Sequence, residues 1–318
     1  MMKRTFLRIV MVAALSCLCL AQLSAQEDKQ DAKGTSSFAV VGDVQVKGHS
    51  SKWLKAAKWI AERKPEFWFP MGDLVDEGLK PDQWEAFREG EKIISPVSKV
   101  LPVLGNHDHY TKSPEKKNIE SMPGLYLENF SVPENGPEEL LKRCYYVKTK
   151  NCLFVVLDTN CFIEGGNPKK LLSGVETPWL RKVLSENKAR WTFVFTHAPL
   201  YSSGRHGTES EWLRKEWCHL FDEFGVDAVF SGHTHAFEVT KPIRNGVVAE
   251  NGKGTVYYNS GGITFSDVAK GDWYTDFLQK EDRKLMIGIV ELKDNSAAIT
   301  TWDIDSGTAI NTVSLKKD

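Results

Sequence analysis

From residue 38 onward, short apolar runs alternate with amphipathic stretches, a pattern typical of alternating strands and helices. The runs FAVV, EFWFPM, VLPVL, TFVF and VDAVF are predicted strands. Thr177 is predicted to cap one helix, because Pro178 follows it at a position that suits a first helical turn. The predicted helices cover residues 52–63, 82–94, 177–187 and 209–224.

The second half of the chain is richer in strands. TVYYNS, KLMIGIVEL, AAITTWDI and TAINTVSL follow residue 236, and CYYVKTKNCLFVVLD predicts a hairpin that turns near Lys150. Residues 111–140 are polar and predict a long excursion over the surface. No repeat or linker divides the pattern. We therefore expect one α/β domain over residues 37–318, with its motifs in 38–240 and a β-rich part in 241–318.

The N-terminus has the layout of a secretory signal peptide. Three cations among the first eight residues precede an uncharged apolar stretch that ends at Leu20, and small residues follow before Gln26. We expect residues 1–25 to be this signal and the protein to be exported, periplasmic or secreted. An uncleaved membrane anchor and lipid attachment at Cys17 are the alternatives. Residues 26–36 are polar and predict a disordered lead-in.

Charge limits the possible partners. The formal net charge is −1, and removal of residues 1–25 would take away three cations and no anion, which gives −4. Surfaces that bind nucleic acids carry a basic excess, so no nucleic-acid partner is expected. The apolar stretch of the signal is too short to span a bilayer comfortably, and no stable span is expected in the mature chain.

Four cysteines lie beyond the signal: Cys144, Cys152, Cys161 and Cys218. Cysteines in an exported chain can form disulfides. Cys144 and Cys152 lie on opposite sides of the predicted hairpin and are the first pair to consider. A buried free thiol is at least as good an interpretation for each, and none has the paired spacing of a zinc site.

Five apolar runs end in a small residue that precedes metal-ligand side chains: FAVVGDVQ, FWFPMGDLVD, VLPVLGNHDH, TFVFTHAPL and AVFSGHTH. In open α/β sheets, ligands bind outside the carboxyl ends of the strands. Oxygen and nitrogen ligands without cysteine favour a two-metal hydrolytic site. The candidate ligands are Asp43, Gln45, Asp73, Asn106, His197, His233 and His235.

The order D-x-Q, G-D-x-x-D, G-N-H-D, T-H-A-P and G-H-T-H resembles the metallophosphoesterase superfamily, the calcineurin-like phosphoesterases, with some likeness to purple-acid-phosphatase-type members. The resemblance implies a four-layer α/β/β/α sandwich in a single domain, with a dinuclear centre of two divalent ions (Mn, Fe, Zn or Mg). It also implies that Asp73 bridges the two ions. Asp43, Gln45 and His235 would complete one ion's ligands. Asn106, His197 and His233 would complete the other's.

His107 has an implied catalytic task rather than a ligand role. In the resembling family, the histidine after the motif's Asn lies beside the leaving group, as general acid or transition-state stabiliser. Asp108 is expected to orient it. A structural loop histidine is the alternative.

Two positions depart from the resembling family. Many members have His where this chain has Gln45, and purple acid phosphatases have Gly there. An amide oxygen is a harder ligand, which favours Mn or Mg over softer ions. Purple acid phosphatases have a metal-bound Tyr where this chain has Asp76, so no purple iron–tyrosinate site is expected. Asp76 is expected to support a neighbouring residue rather than bind metal.

Weaker candidates for substrate contact are His109, Arg205 and His206. An Arg near a dinuclear site could hold a phosphate oxygen, although a solvent-facing loop is the alternative for each. His49 and His219 are expected to lie away from the site.

These features together predict an exported dinuclear phosphoesterase that hydrolyses phosphate monoesters by a metal-bridging hydroxide. Its substrate would be a phosphorylated small molecule or protein. The alternatives are a phosphodiesterase acting on cyclic nucleotides or lipid headgroups, and a non-catalytic binding protein of the same fold. Gln45 is the only feature that favours the last.

Overall fold

Two β-sheets pack face to face in a computed structural model, and helices cover their outer faces. The structure describes residues 34–108, 124–160, 169–204, 210–250, 252–263, 269–279 and 285–318. Within these ranges the first strands are β1 (Ser37–Val41), β2 (Phe67–Pro70), β3 (Lys99–Val100), β4 (Tyr145–Lys148), β5 (Cys152–Val156), β6 (Trp191–Phe195), β7 (Ala228–Ser231) and β8 (Phe237–Thr240). They are followed by β9 (Ile243–Arg244), β10 (Val247–Val248), β11 (Val256–Ser260), β12 (Thr275–Leu278), β13 (Met286–Lys293), β14 (Ser296–Asp303) and β15 (Thr308–Lys316).

The first sheet has the strand order β15-β14-β13-β1-β2-β3, and the second has the order β12-β8-β11-β7-β6-β5-β4. Strands β1, β2 and β3 run parallel, as do β5, β6, β7 and β11. The carboxyl ends of each parallel set therefore meet at one edge of its sheet. The short β9–β10 hairpin stands apart from both sheets.

The α-helices are α1 (Ser51–Arg63), α2 (Pro81–Ile94), α3 (Gly124–Asn129), α4 (Thr177–Glu186) and α5 (Ser210–Phe224). Helices α1 and α2 share a core with the first sheet, and α4 and α5 share one with the second. The predicted helices therefore exist, with boundaries within one or two residues. Ser50 caps α1 because its hydroxyl accepts the N–H of Trp53.

Phenylalanine rings hold the two sheets together. The ring of Phe38 in β1 lies 5.1 to 6.0 Å, centroid to centroid, from five others. These five rings belong to Phe69, Phe154, Phe193, Phe195 and Phe230. Edge-to-face aromatic pairs add to the free energy of area burial, so this cluster sets the spacing of the sheets.

Thr177 does not cap α4, and that prediction was wrong. The residue before the helix is Glu176, whose φ of −73° and ψ of −44° are already helical because an eight-residue π-helix, Lys169–Glu176, leads into it. The Thr177 hydroxyl instead donates to Glu216 of α5 over 2.7 Å. The Thr177 hydroxyl is therefore used in a contact between α4 and α5 rather than in capping α4.

The hairpin of β4 and β5 forms as predicted, but Cys144 and Cys152 are free thiols. The register pairs Tyr145 with Val156 and Lys148 with Leu153, which puts the two cysteines at opposite ends of the hairpin. Four residues of strand exceed the reach of a disulfide. Cys218 is also free, and Cys161 lies outside the described residues.

Other predicted segments differ from the structure in their extent. Thr35, in the expected lead-in, is buried and donates its N–H to Asn151. The excursion over 111–140 is partly anchored, since Tyr126 and Phe130 are buried against the core. β3 is shorter than the VLPVL run because Pro102 lacks a ladder N–H. Four strands were missed in the prediction from sequence: β8, β9, β10 and β12.

Residues 1–25, the expected signal, lie outside the described ranges, as does most of the expected lead-in. Among the described residues, the structure contains no helix with the length and apolar character needed to cross a membrane.

A buried polar network lies between β4, β5 and the start of α4. Arg143 contacts Asp158 over 2.5 Å, and Glu176 accepts hydrogen bonds from the Asp158 N–H over 2.8 Å and the Cys144 thiol over 3.0 Å. The second oxygen of Glu176 accepts no hydrogen bond. Burial and the charge of Asp158 raise the pKa of Glu176 to about 8, although these hydrogen bonds oppose the shift.

The pKa of Glu176 predicts a specific pH dependence of stability. Its folded value of about 8 exceeds the ordinary value of 4.5, so between those pH values the folded state holds a proton that the unfolded state has released. The free energy of unfolding therefore falls as pH rises through this window, by up to about 1.4 kcal/mol per pH unit. Glu176→Gln should flatten this fall in urea unfolding at pH 5 to 8. Equal slopes in variant and wild type would contradict the assignment.

Candidate active site

The five motifs all follow strands or runs that end at the same edge of the two sheets. Four of the seven candidate ligands have backbone φ values between 45° and 66°: Gln45, Asp73, His233 and His235. Non-glycine residues adopt this left-handed region at a cost in free energy, and such strain clusters at functional sites. The loops are thus held in the geometry that brings these side chains together.

Glycines allow the ligand loops to touch. A Cβ at Gly105 would lie 2.0 Å from the backbone nitrogen of Asp73 and 2.3 Å from its Oδ1. A Cβ at Gly72 would lie 2.3 Å from Nδ1 of His197. Both contacts are shorter than atoms tolerate, so the small residue before each ligand is a requirement of close approach.

The candidate ligands form two groups that share one carboxylate. Ligand atoms of Asp43, Asp73 and His235 lie within 4.8 Å of one another, and so do those of Asp73, His197 and His233. We call these the Asp43 group and the His197 group.

Individual distances are shorter. Nε2 of His197 lies 3.3 Å from Oδ1 of Asp73 and 3.0 Å from Oδ1 of Asn106. Nε2 of His235 lies 3.1 Å from Oδ2 of Asp43. Asn106 therefore adjoins the His197 group.

Among the described residues, Oε1 of Gln45 has no hydrogen-bond donor. Gln45 is 5% exposed, and Asp43 is fully buried with its Oδ2 3.1 Å from Nε2 of His235. A buried polar atom without a partner costs about 1–3 kcal/mol. A divalent cation in reach of the Gln45 oxygen would offset that cost, so the carboxylates, imidazoles and amide present fit a metal ion.

The charges of the site also require a cation. Burial alone would raise the pKa of Asp73, but the neighbouring charge and hydrogen bond of His197 outweigh it and hold that pKa below its usual range. Burial opposes protonation of His197, yet Asp73 and Asp43 raise its pKa well above the usual range. The carboxylates of Asp73 and Asp43 therefore stabilise the protonated ring of His197. Bound metal ions would take the place of the proton on that ring.

The ring of His107 contacts Asp76. Nδ1 of His107 lies 2.7 Å from the carbonyl oxygen of Asp76 and 4.0 Å from its Oδ1. The backbone N–H of His107 donates to Oδ1 of Asp73 over 2.8 Å. His107 is therefore fixed at both its backbone and its ring.

The carboxylate of Asp108 binds backbone amides. It accepts the N–H groups of Leu74 and Val75, over 2.7 and 3.3 Å, and of Gly105 over 2.8 Å. It ties the loop of Asp73 to the loop of Asn106. A carboxylate two residues beyond Asn106 can reach these amides only because Gly105 lets the two loops meet.

The three weaker candidates for substrate contact, His109, Arg205 and His206, lie outside the described residues. His49 is exposed beside Glu89, and His219 lies on α5, so both stand apart from the ligand groups, as expected. Sequence reasoning missed Lys47, whose Nζ lies 3.9 Å from Oδ1 of Asp76. The one sequence feature that could have drawn attention to Lys47 is its position four residues after Asp43.

Gly105→Ala tests the shared carboxylate. The added methyl group would displace Asp73, which belongs to both groups, so we expect loss of most bound metal after dialysis against Mn²⁺. Gly48→Ala is the matched control, because a Cβ there meets no atom within 4 Å. Metal analysis with circular dichroism separates metal loss from unfolding. Wild-type metal content in folded Gly105→Ala would contradict this geometry.

Comparison with known proteins agrees with the motifs. The family model described as calcineurin-like phosphoesterase matches residues 36–237. A purple acid phosphatase of Glycine max is 24% identical over 220 residues, which is 66% of this chain and 45% of that protein. The matched stretch covers 34% to 46% of these curated relatives' own lengths, so this chain spans about a third to a half of them.

Solved structures share the fold. A purple acid phosphatase from yellow lupin seeds superposes with a TM-score of 0.75 at 17% identity, over 90% of this chain and 54% of that one. GAP50, the anchor in the inner membrane complex of Plasmodium, gives 0.64 at 19% identity over 90% of both chains. These likenesses confirm the predicted metallophosphoesterase sandwich. With the family model matching more than half of its length, the chain belongs to the calcineurin-like phosphoesterase family.

Proposed function

We propose that this protein is an exported phosphoesterase that uses two divalent metal ions to hydrolyse phosphate monoesters. The observation that carries the proposal is the pair of ligand groups that share Asp73. Sharing one carboxylate is the arrangement that brings two ions to the separation of about 3.5–4 Å found in two-metal hydrolases.

The ligand sets follow from the two groups. Asp43, Gln45 and His235 would hold one ion, and Asn106, His197 and His233 the other, with Asp73 between them. When bound, such ions lower the pKa of water and neutralise charge on the phosphoryl oxygens.

The chain's own residues supply the remaining steps. His107 would donate a proton from its ring to the leaving oxygen, since the contact of its Nδ1 with the carbonyl oxygen of Asp76 fixes the orientation of the ring. The carboxylate of Asp76 lies beside this ring, with its Oδ1 4.0 Å from Nδ1 of His107 and 3.9 Å from Nζ of Lys47. The carboxylate of Asp108 holds the loops of Asp73 and Asn106 together by accepting the N–H groups of Leu74 and Gly105.

The proposed metal preference rests on Gln45. Its amide oxygen is neutral and hard, which favours Mn²⁺ or Mg²⁺ at the Asp43 group over softer ions. With Asp76 at the position of the purple enzymes' metal-bound Tyr, iron loading should give no purple charge-transfer colour. An absorption spectrum of iron-loaded protein checks this, and a purple band that persists after gel filtration would contradict it.

Monoester hydrolysis is supported by a relative named purple acid phosphatase. Export is supported by the charge and apolar pattern of residues 1–25. One observation favours a second candidate, a non-catalytic binding role. GAP50 shares the fold over 90% of both chains and is described as an anchor.

Ligand substitutions test the proposal. With Mn²⁺ present, Asp73→Asn and His233→Ala should lose at least about 100-fold of wild-type activity on an aryl phosphate monoester, because each removes a ligand. His49→Ala, which changes an exposed histidine outside both groups, should keep wild-type activity.

The outcomes separate the candidates. Faster hydrolysis of an aryl phosphodiester than of the monoester would replace the monoester assignment with a phosphodiesterase. Two bound ions without hydrolysis of either ester would favour the binding role. Full activity in purified Asp73→Asn would overturn the site.

A further inference from the structure

A buried polar segment beside the metal groups belongs to none of the five motifs. Residues 158–160 follow β5 at the edge of the sheet where the ligands lie. Asp158 is 1% exposed, and Thr159 and Asn160 are fully buried. We call these three residues the 158–160 segment.

Thr159 holds the loop of His197. Its hydroxyl oxygen accepts the backbone N–H of Ala198 over 2.9 Å. Ala198 directly follows His197, and His197 itself is fixed by the contact of its Nδ1 with the carbonyl oxygen of Met71 over 2.7 Å. The hydroxyl of Thr159 therefore restrains the backbone on one side of a candidate ligand.

Asn160 holds the loop of Asn106. Its Nδ2 donates to the carbonyl oxygen of Leu104 over 3.1 Å and to Oδ1 of Asp158 over 2.7 Å. Leu104 lies two residues before Asn106. The two acceptors fix the amide orientation, since a flip would turn the Asn160 oxygen against two other oxygens.

The segment is itself anchored at its other end. Both Nε and Nη2 of Arg143 lie 2.5 Å from Oδ2 of Asp158, while the Asp158 N–H donates to Glu176 over 2.8 Å. The 158–160 segment is thus a rigid link from the buried network to two ligand loops.

Packing alone does not account for this polar segment. Among the described residues, the buried Oδ1 of Asn160 has no hydrogen-bond donor, which costs free energy that an apolar side chain would avoid. The bonds that the segment does make reach the loops of His197 and Asn106. Those two side chains lie 3.0 Å apart, Nε2 to Oδ1, and adjoin the same group.

We propose that the 158–160 segment positions Asn106 and His197 and so sets the affinity of the His197 group for its metal ion. The inference rests on the proposed function. Groups that orient metal ligands typically change metal affinity or activity about 10- to 100-fold when they are removed. The Asp43 group has no described contact with this segment, so its ion should be unaffected.

Thr159→Val tests the link, because it keeps the volume and removes the acceptor for Ala198. The Mn²⁺ concentration for half-maximal activity should rise at least about tenfold. At saturating Mn²⁺, kcat should return to within about twofold of wild type. Equilibrium dialysis at limiting Mn²⁺ should show about one ion per chain where wild type holds two. Thr159→Ser, which keeps the hydroxyl, should restore the wild-type values.

Thr240→Val is the matched control. The Thr240 hydroxyl also accepts a buried backbone N–H, that of Tyr257 over 3.0 Å, but it lies at the end of β8 away from the ligands. Its loss should lower stability to a similar extent and leave the Mn²⁺ requirement unchanged. A merely structural role for Thr159 would make the two variants alike.

If Thr159→Val does not fold, Asn160→Ala acts on the same segment from the Leu104 side and should give the same shift in Mn²⁺ requirement. An active wild type with two ions, together with a Thr159→Val or Asn160→Ala protein of unchanged Mn²⁺ requirement, overturns this inference and leaves the proposed function intact. A wild type that binds fewer than two ions overturns both.

Discussion

The buried carboxylate of Asp73 is the constraint on which the rest of the site depends. It lies at the end of β2 with a left-handed backbone, and it contacts the His107 N–H and the His197 ring. A negative charge in this setting needs positive charge beside it, which the raised pKa of His197 already reflects. The same carboxylate belongs to both the Asp43 group and the His197 group, and under the proposed function it would join two ion sites into one centre.

The fold places the ligand loops around Asp73. Two parallel strand sets end at a common edge, and the phenylalanine cluster around Phe38 keeps the sheets that carry them at a fixed spacing. Gly72 and Gly105 allow the loops to touch, and Asp108 and the 158–160 segment tie them to one another. Hydrogen bonds and an ion pair therefore connect the ligand loops, through the 158–160 segment, to Arg143.

Apolar periodicity and small residues before ligand side chains were enough to predict the sheets, the main helices and the seven candidate ligands. Local patterns failed where distant contacts decide the outcome. Thr177 looked like a cap because Pro178 follows it, yet its hydroxyl bonds to Glu216, 39 residues away. The contact of the His107 ring with the carbonyl oxygen of Asp76 spans 31 residues and has no local sequence signal. Thr159 and Asn160 carry no motif, and their contacts span 39 and 56 residues.

Gln45 and Asp76 give the site its own character within the family. Gln45 offers a neutral oxygen where an imidazole is common, and Asp76 replaces the tyrosine of the purple enzymes with a residue that holds His107. Under the proposed function, both residues favour hard ions and a colourless centre. The fold alone does not decide the chemistry, which depends on the residues of the site.

The most direct test of the central claim is anomalous diffraction from crystals grown with Mn²⁺. The account predicts two anomalous peaks about 3.5–4 Å apart, with the carboxylate of Asp73 between them and Gln45 Oε1 against one. A single peak, or two peaks with Asp73 bound to only one, would contradict it.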